Sequence, residues 1–339
     1  MLDRITSLLL AAAAVLVVSA GPVSAQKQTL RMAYFAGPSH HMVQTLAAWA
    51  KTVEEASGGN LTIEVDKAAL GKTEGQYDLV RNGVRDLAWA IPGRTPGRFD
   101  MLQAVEIPFL CPNSTVCSPV LWKWYAKYGL AAKEFSDTVL LTTFTTGPFG
   151  IHTGKPVRTL DDLKGLKING GPPAVPIAKG LGISLATLNA VETYEAVQRG
   201  TVDGTLFPWE AMQSFRLNEL LKSHLEIPGG ILLASFVVVA NPKAIDNLTP
   251  ENKAALLKAS GEAGSAFFGK AWDAADERGR ADAKERSQAI EVLAPAELAR
   301  WRSLIQFVPD EWVKKADQKG LDGRKMLDDL QAMITAASS

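Results

Sequence analysis

His40 and His41 are adjacent, and two imidazoles could in principle share a metal ion. They stand where a helical pattern begins, and neighbouring side chains on a helix diverge by about 100°, so helix-start or cleft-lining polarity is the better reading. His152 and His224 have no ligand partner at a recognisable spacing. Gly170-Gly171-Pro172-Pro173 precedes a helical stretch in the manner of a phosphate cradle, but its two prolines lack the N–H groups a cradle uses, which favours a rigid turn. Cys111 and Cys117 could close a small disulfide loop; a metal or redox pair is the alternative, without a Cys-x-x-Cys spacing or a nearby histidine to support it. Gly-x-Ser-x-Gly, His-Glu-x-x-His, the Walker loop and Gly-x-Gly-x-x-Gly are all missing from the sequence. The common hydrolase, zinc-protease, nucleotide-hydrolysing and dinucleotide chemistries therefore have no visible machinery, although paired carboxylates can escape a reading of this kind.

The elements that would position these residues alternate. Leu30–Phe35 reads as a strand, 42–57 as a helix carrying Leu46, Trp49, Ala50 and Val53 on one face, and Leu61–Val65 as a strand. Further strands are expected at 86–90, 139–144, 149–153, 166–168, 204–207 and 236–240, with a helix at 77–83. This alternation predicts an α/β fold with largely parallel sheets. Gly147-Pro148 and the strand 235–240 read as crossings between two lobes. The resulting division is lobe I at 26–148 plus 235–250, lobe II at 149–234, and a helical region at 251–339. Thr249-Pro250 supplies a helix start, and Leu256, Ala263, Phe267, Ala271 and Ala274 suggest one unbroken helix to about Ala289, long enough at ~60 Å to brace both lobes.

Composition agrees with a two-lobed globular protein: 339 residues, 47% hydrophobic, 21% charged, and 36 basic against 36 acidic groups. A neutral chain exerts no global pull on nucleic acid or on an anionic membrane surface. Arg4, the apolar run Ile5–Val18 and the small residues ending Val23-Ser24-Ala25 read as a signal peptide cleaved after Ala25, giving a periplasmic mature chain without membrane insertion. A retained anchor is the alternative, but the run is shorter than the ~20 residues that span a bilayer.

The order of several segments resembles the extracytoplasmic solute receptors of TRAP transporters, the tripartite ATP-independent periplasmic uptake systems. The segments are Pro38-Ser39-His40 before a helix ending at Gly58-Gly59, Leu70-Gly71-Lys72, Pro96-Gly97-Arg98-Phe99 leading into Glu106-Ile107-Pro108-Phe109, Leu160 through Ile168, Val202-Asp203-Gly204, and Pro208-Trp209-Glu210-Ala211. The resemblance implies two lobes that close like a hinge on a small organic acid, a long helix clasping both, no cofactor, no enzymatic turnover, and delivery of the solute to small and large membrane subunits. Receptors of ABC or tripartite tricarboxylate importers would share the lobes but not the clasping helix, an exported hydrolase is a more distant reading, and a sensory role is compatible with any of them.

One position departs from the family's pattern. An arginine commonly follows the segment matching 162–168 and grips the ligand carboxylate; here it is Asn169, which donates without charge. Arg94, in Ile91-Pro92-Gly93-Arg94, is the candidate for a relocated charge, with a solvated turn residue as its alternative. Trp89, Phe149, Phe207 and Trp209 fall at strand-to-loop positions where α/β sheets bind ligands, and they point to a solute with an aromatic or bulky apolar part; core packing is the alternative for each. Glu210 could accept a hydrogen bond from the solute or favour the start of the helix that follows. His40 completes the candidate ligand set.

Overall fold

The computed structural model describes residues 27–95 and 97–338. The signal-peptide reading lies outside them. Eleven strands are found among the described residues: β1 (Gln28–Ala33), β2 (Leu61–Val65), β3 (Leu87–Ala90), β4 (Val139–Thr145), β5 (Gly150–Thr153), β6 (Lys167–Asn169), β7 (Ser184–Ala186), β8 (Gly204–Phe207), β9 (Ser223–Glu226), β10 (Ser235–Ala240) and β11 (Ala289–Val292). They form two sheets, ordered β2-β1-β3-β10-β4 and β11-β9-β5-β8-β6-β7.

The sheets are mixed rather than largely parallel. β1 runs parallel to β2 and β3, as β6 does to β7 and β8, and β9 to β11. Every antiparallel pair contains β5 or β10, two of the strands that follow a passage between sheets. β11 also follows such a passage but runs parallel to β9, so the direction of entry differs from strand to strand, which composition and periodicity do not reveal.

In the first sheet the two faces are both buried, and alternation along β10 shows how. Val237 and Val239 join a core with Tyr77, Val80, Trp124 and Leu330, whereas Phe236, Val238 and Ala240 join a core with Leu46, Trp49, Phe268 and Trp272. The helix His41–Ala56 contributes Met42, Leu46, Trp49, Ala50 and Val53 to that second core, the face its spacing predicts. The second sheet has a core of its own containing Ile151, Ile168, Leu206, Leu225 and Trp301.

The expected unbroken helix from Pro250 is two helices, Pro250–Lys258 and Gly261–Glu285. Ser260 is extended, and Gly261 takes φ +58°, a left-handed conformation that turns the chain beneath Trp122. The longer piece spans ~37 Å at 1.5 Å per residue. Its inward face is also displaced from the expected one: Phe268, Trp272 and Ala275 are buried, while Ala263 and Ala274 are exposed. The region beyond 251 is not all helical either, since β11 extends the second sheet at its edge. Trp301 then packs into the second sheet's core, and Trp312 and Leu330 into the first.

The longer helix holds both sides through two carboxylates three residues apart. Asp273 accepts from the backbone N–H groups of Ser114 and Thr115 at 2.9 and 2.8 Å, at the start of the helix Ser114–Lys127. Asp276 accepts from the N–H of Glu210 at 2.8 Å, at the start of the helix Glu210–Ser214. Unpaired N–H groups at a helix start are satisfied by such an acceptor oxygen, which a carboxyl offers whether or not it is ionised. Close approach is achieved by omitting side chains: a Cβ on Gly279 would lie 2.2 Å from the carbonyl oxygen of Trp209, and one on Gly147, in the passage from β4 to β5, would lie 1.7 Å from Asp276 Oδ2. Gly279→Ala should therefore lower unfolding stability by about 1–3 kcal/mol through overpacking against backbone. Urea denaturation checks this, and an unchanged midpoint would show that the helix can retreat freely.

Candidate functional site

Between the sheets lies a partly open cavity. Its apolar wall includes Phe35, Trp89, Phe149, Phe207, Phe215, Phe236 and Trp272. Polar groups are few: His40, Arg94, Glu106, Thr146 and Glu210. An aromatic enclosure with a small number of polar points is the usual build of a site for a small molecule.

Trp89 ends β3 and is fully buried, with ring contacts to Phe35 at 4.2 Å and Phe236 at 5.3 Å. Trp272, on the longer helix, stacks on the other side of Phe236 at 5.3 Å and 11°. The indole Nε1 atoms of Trp89 and Trp272 are both buried without a hydrogen-bond partner in the protein. A buried donor left unmade costs about 1–3 kcal/mol, a cost a ligand oxygen can remove. Phe149 and Phe207 meet edge to face at 6.2 Å on the opposite wall.

Arg94 sits half-buried at the end of a short helical turn, Pro92–Arg94. Its Nη2 donates to the carbonyl of Leu188 across the cleft at 3.2 Å, its one hydrogen-bond partner among the described residues out of five N–H donors. Burial lowers its pKa, opposed by the fields of Glu74 and Glu192. Asn169 lies elsewhere. Fully buried at the end of β6 and not among the residues lining the cavity, it donates to Thr193 Oγ1 at 2.8 Å and accepts from the Leu188 N–H at 2.9 Å. Its amide thus shapes the loop whose carbonyl receives Arg94.

Trp209 also lies away from the cavity lining. Its Nε1 donates to Glu226 at 3.1 Å, and its ring packs on His224 at 4.7 Å and His152 at 5.0 Å. Those two histidines, unconnected in sequence, face each other on paired strands with Nδ1 atoms 2.8 Å apart. Cys111 and Cys117 form a disulfide, remote from this chemistry.

His40 and His41 do approach each other, with ring centroids 4.9 Å apart, because His40 caps the helix with extended backbone instead of belonging to it. Their nitrogens and a Glu210 oxygen lie within 4.8 Å of one another, spacing suited to a metal. The hydrogen-bond pattern points elsewhere: His40 Nδ1 accepts from the Met42 N–H at 3.1 Å, so in the neutral ring the hydrogen is on Nε2 and no lone pair remains there. Glu210 lies 3.8 Å from His40 Nε2 and 3.5 Å from His41 Nε2, distances that suggest ion pairs. Burial argues for neutral partners, lowering His40 to about 3 and His41 to about 2 and raising Glu210 to about 8. We read the contact as uncharged, since the one nearby offset, the Ser214 hydroxyl donating to Glu210 Oε2 at 2.7 Å, is outweighed by the desolvation of the ions.

Two lobes meeting over an apolar cavity, with a cation on its wall and one helix tying both sides, define a receptor that encloses a small solute. The chain belongs to the bacterial extracellular solute-binding protein family 7, whose model matches residues 32–315, the family of TRAP solute receptors that the motif order resembles. It is similar to the TRAP solute-binding protein of Rhodoferax ferrireducens T118 in complex with copurified benzoate, at 30% identity and TM-score 0.86 over 92% of this chain and 99% of that one. It is likewise similar to the protein from Bordetella bronchiseptica with bound (R)- and (S)-mandelate, at 29% identity and TM-score 0.86 over 91% and 99%. The outer membrane transporter protein TsaT of Comamonas testosteroni is 25% identical over 327 residues, 94% of this chain and 96% of that one.

The buried acids give a signed pH dependence. Burial holds Glu106 at about 7 and Glu210 and Asp276 at about 8, above the unfolded values, so the folded chain binds more protons and loses stability as pH rises through these values. The buried histidines act oppositely, adding stability as pH rises from about 3 to about 6.5. Between pH 6.5 and 8 the acids prevail, and the ligand-free melting temperature should fall. Glu210→Gln should flatten that decline, which differential scanning calorimetry would show.

Proposed function

We propose that this receptor captures an aromatic or similarly bulky apolar carboxylate in the periplasm, after removal of a signal peptide at Ala25, and passes it unchanged to the small and large membrane subunits of a TRAP transporter. The observation that carries the reading is the pairing of an aromatic cavity with a half-buried Arg94 whose guanidinium meets the protein at Leu188 O. Aromatic walls supply apolar contact for a ring, and Arg94 with the orphan indole N–H groups supplies donors for a carboxylate. Trp89, Phe149, Phe207, His40 and Glu210 are the further ligand-lining residues of this reading. Asn169 acts behind them by shaping the Leu188 loop, and Trp209 by packing against the histidine pair. Benzoate and mandelate in the two similar structures support the same chemical class.

Among the described residues no helix is long and apolar enough to cross a membrane. No cofactor enters the reading, and turnover has no assigned nucleophile. Titration with benzoate by calorimetry tests it. Arg94→Ala should weaken binding by roughly ten- to hundred-fold, the worth of a charged hydrogen bond of about 1.5–3 kcal/mol, and benzoate should be recovered intact. Unaltered affinity in the variant removes Arg94 from the site, and no binding of any aromatic acid refutes the ligand class.

A further inference from the structure

Glu106 is a fully enclosed carboxyl that the capture of a simple aromatic acid does not use. It ends the short helical segment Leu102–Glu106 and lines the same cavity as Arg94 and Trp89. One oxygen is occupied: Oε1 accepts from the N–H of Ser235 at 2.9 Å and from its hydroxyl at 2.6 Å, which pins the carboxyl to the first residue of β10. The other oxygen, Oε2, is buried with no partner in the protein. Gly93 packs beside the carboxyl, where a Cβ would stand 3.7 Å from Oε1 and 3.8 Å from Oε2. An unpaired carboxyl oxygen in an apolar surrounding is a costly feature unless something else fills its hydrogen-bonding capacity.

The chemistry of that missing partner is constrained. Because Oε1 already accepts two hydrogen bonds, a proton on this carboxyl resides on Oε2. When protonated, Oε2 offers a donor; when ionised, an acceptor. Burial lifts the group to about 7, opposed by Ser235 and by the field of Lys315, so both forms are populated near neutrality. A hydroxyl can accept from the first form and donate to the second, which a carbonyl or an ammonium cannot.

We infer that Glu106 Oε2 is the hydrogen-bonding point for a hydroxyl group on the solute, making the receptor selective for hydroxyl-bearing aromatic acids over their unsubstituted counterparts. The assignment rests on the aromatic-acid reading above and adds to it a specificity residue on the wall formed by lobe I.

Calorimetric titration at pH 8 of 3-hydroxybenzoate, 4-hydroxybenzoate and mandelate, each against benzoate or phenylacetate as the hydroxyl-free counterpart, tests it. The best hydroxylated acid should bind at least about tenfold more tightly than its counterpart, as one charge-assisted hydrogen bond provides. Glu106→Gln keeps an oxygen for Ser235 and replaces the ionisable one by an amide N–H₂. It should cut the hydroxyl advantage, taken as the ratio of hydroxylated to hydroxyl-free affinity in the same variant, at least fivefold. No hydroxyl advantage in the unaltered protein, or an equal advantage in the variant, overturns the role of Glu106 while benzoate binding still upholds the aromatic-acid reading. Failure of all five acids to bind overturns both.

Discussion

Two aspartate side chains on one helix face hold the molecule together in the arrangement that creates its cavity. Asp273 and Asp276 each occupy the start of a different helix, one beside the first sheet and one beside the second. Their spacing of three residues places them side by side on the helix surface, so a shift of that helix is felt on both sides. Asp276 is also pressed against Gly147 in a passage between the sheets. The chain crossing, the helix and the start of the Glu210–Ser214 segment therefore meet at one point, and the position of Glu210 at the cavity follows from it.

Within the cavity, burial rather than net charge governs the chemistry. The whole chain is neutral, and the groups that face the solute are few and desolvated. Burial discharges His40, His41 and Glu210, leaving Arg94 as the cavity's fixed positive group. Orphan polar atoms on Trp89, Trp272 and Glu106 mark where an apolar interior still has hydrogen-bonding capacity. In the proposed reading the cavity would distinguish solutes by the placement of a few polar groups around a ring, with the apolar wall common to all of them.

Much of the scaffold was legible because periodicity reports burial. Helix His41–Ala56 and strands β2 and β8 have strong, regular apolar patterns, and they occur where expected. Strands β7, β9 and β11 were not legible: they have three or four residues each, and Ser223–Glu226 carries Ser, His and Glu, a pattern that resembles a loop. The helix break was hidden because Gly261 can continue or end a helix, and contact with Trp122 decides which. Trp272 escaped notice for the related reason that the inward face was misplaced by one residue, leaving this tryptophan off the expected stripe. The family resemblance could suggest Arg94 near the cleft but could not show Asn169 turned away from it, since that depends on Thr193 and Leu188, some twenty residues distant. Glu106 was legible as part of the Glu106-Ile107-Pro108-Phe109 motif but not as a cavity residue; only Ser235, 129 positions later, makes one of its oxygens special.

The two margins of the cavity are unequal in strength. The inner margin combines a backbone passage at Gly147 with a buried carboxylate at Asp276, whereas the outer one has Gly93 lying against Pro173 and a lone guanidinium reaching Leu188 O. Neither Pro172 nor Pro173 has a backbone N–H to add a latch on that side. Parting the outer lips would forfeit little within the protein itself. In the proposed reading, a guest bonded at once to both halves would be the strongest fastener of the door that shuts behind it.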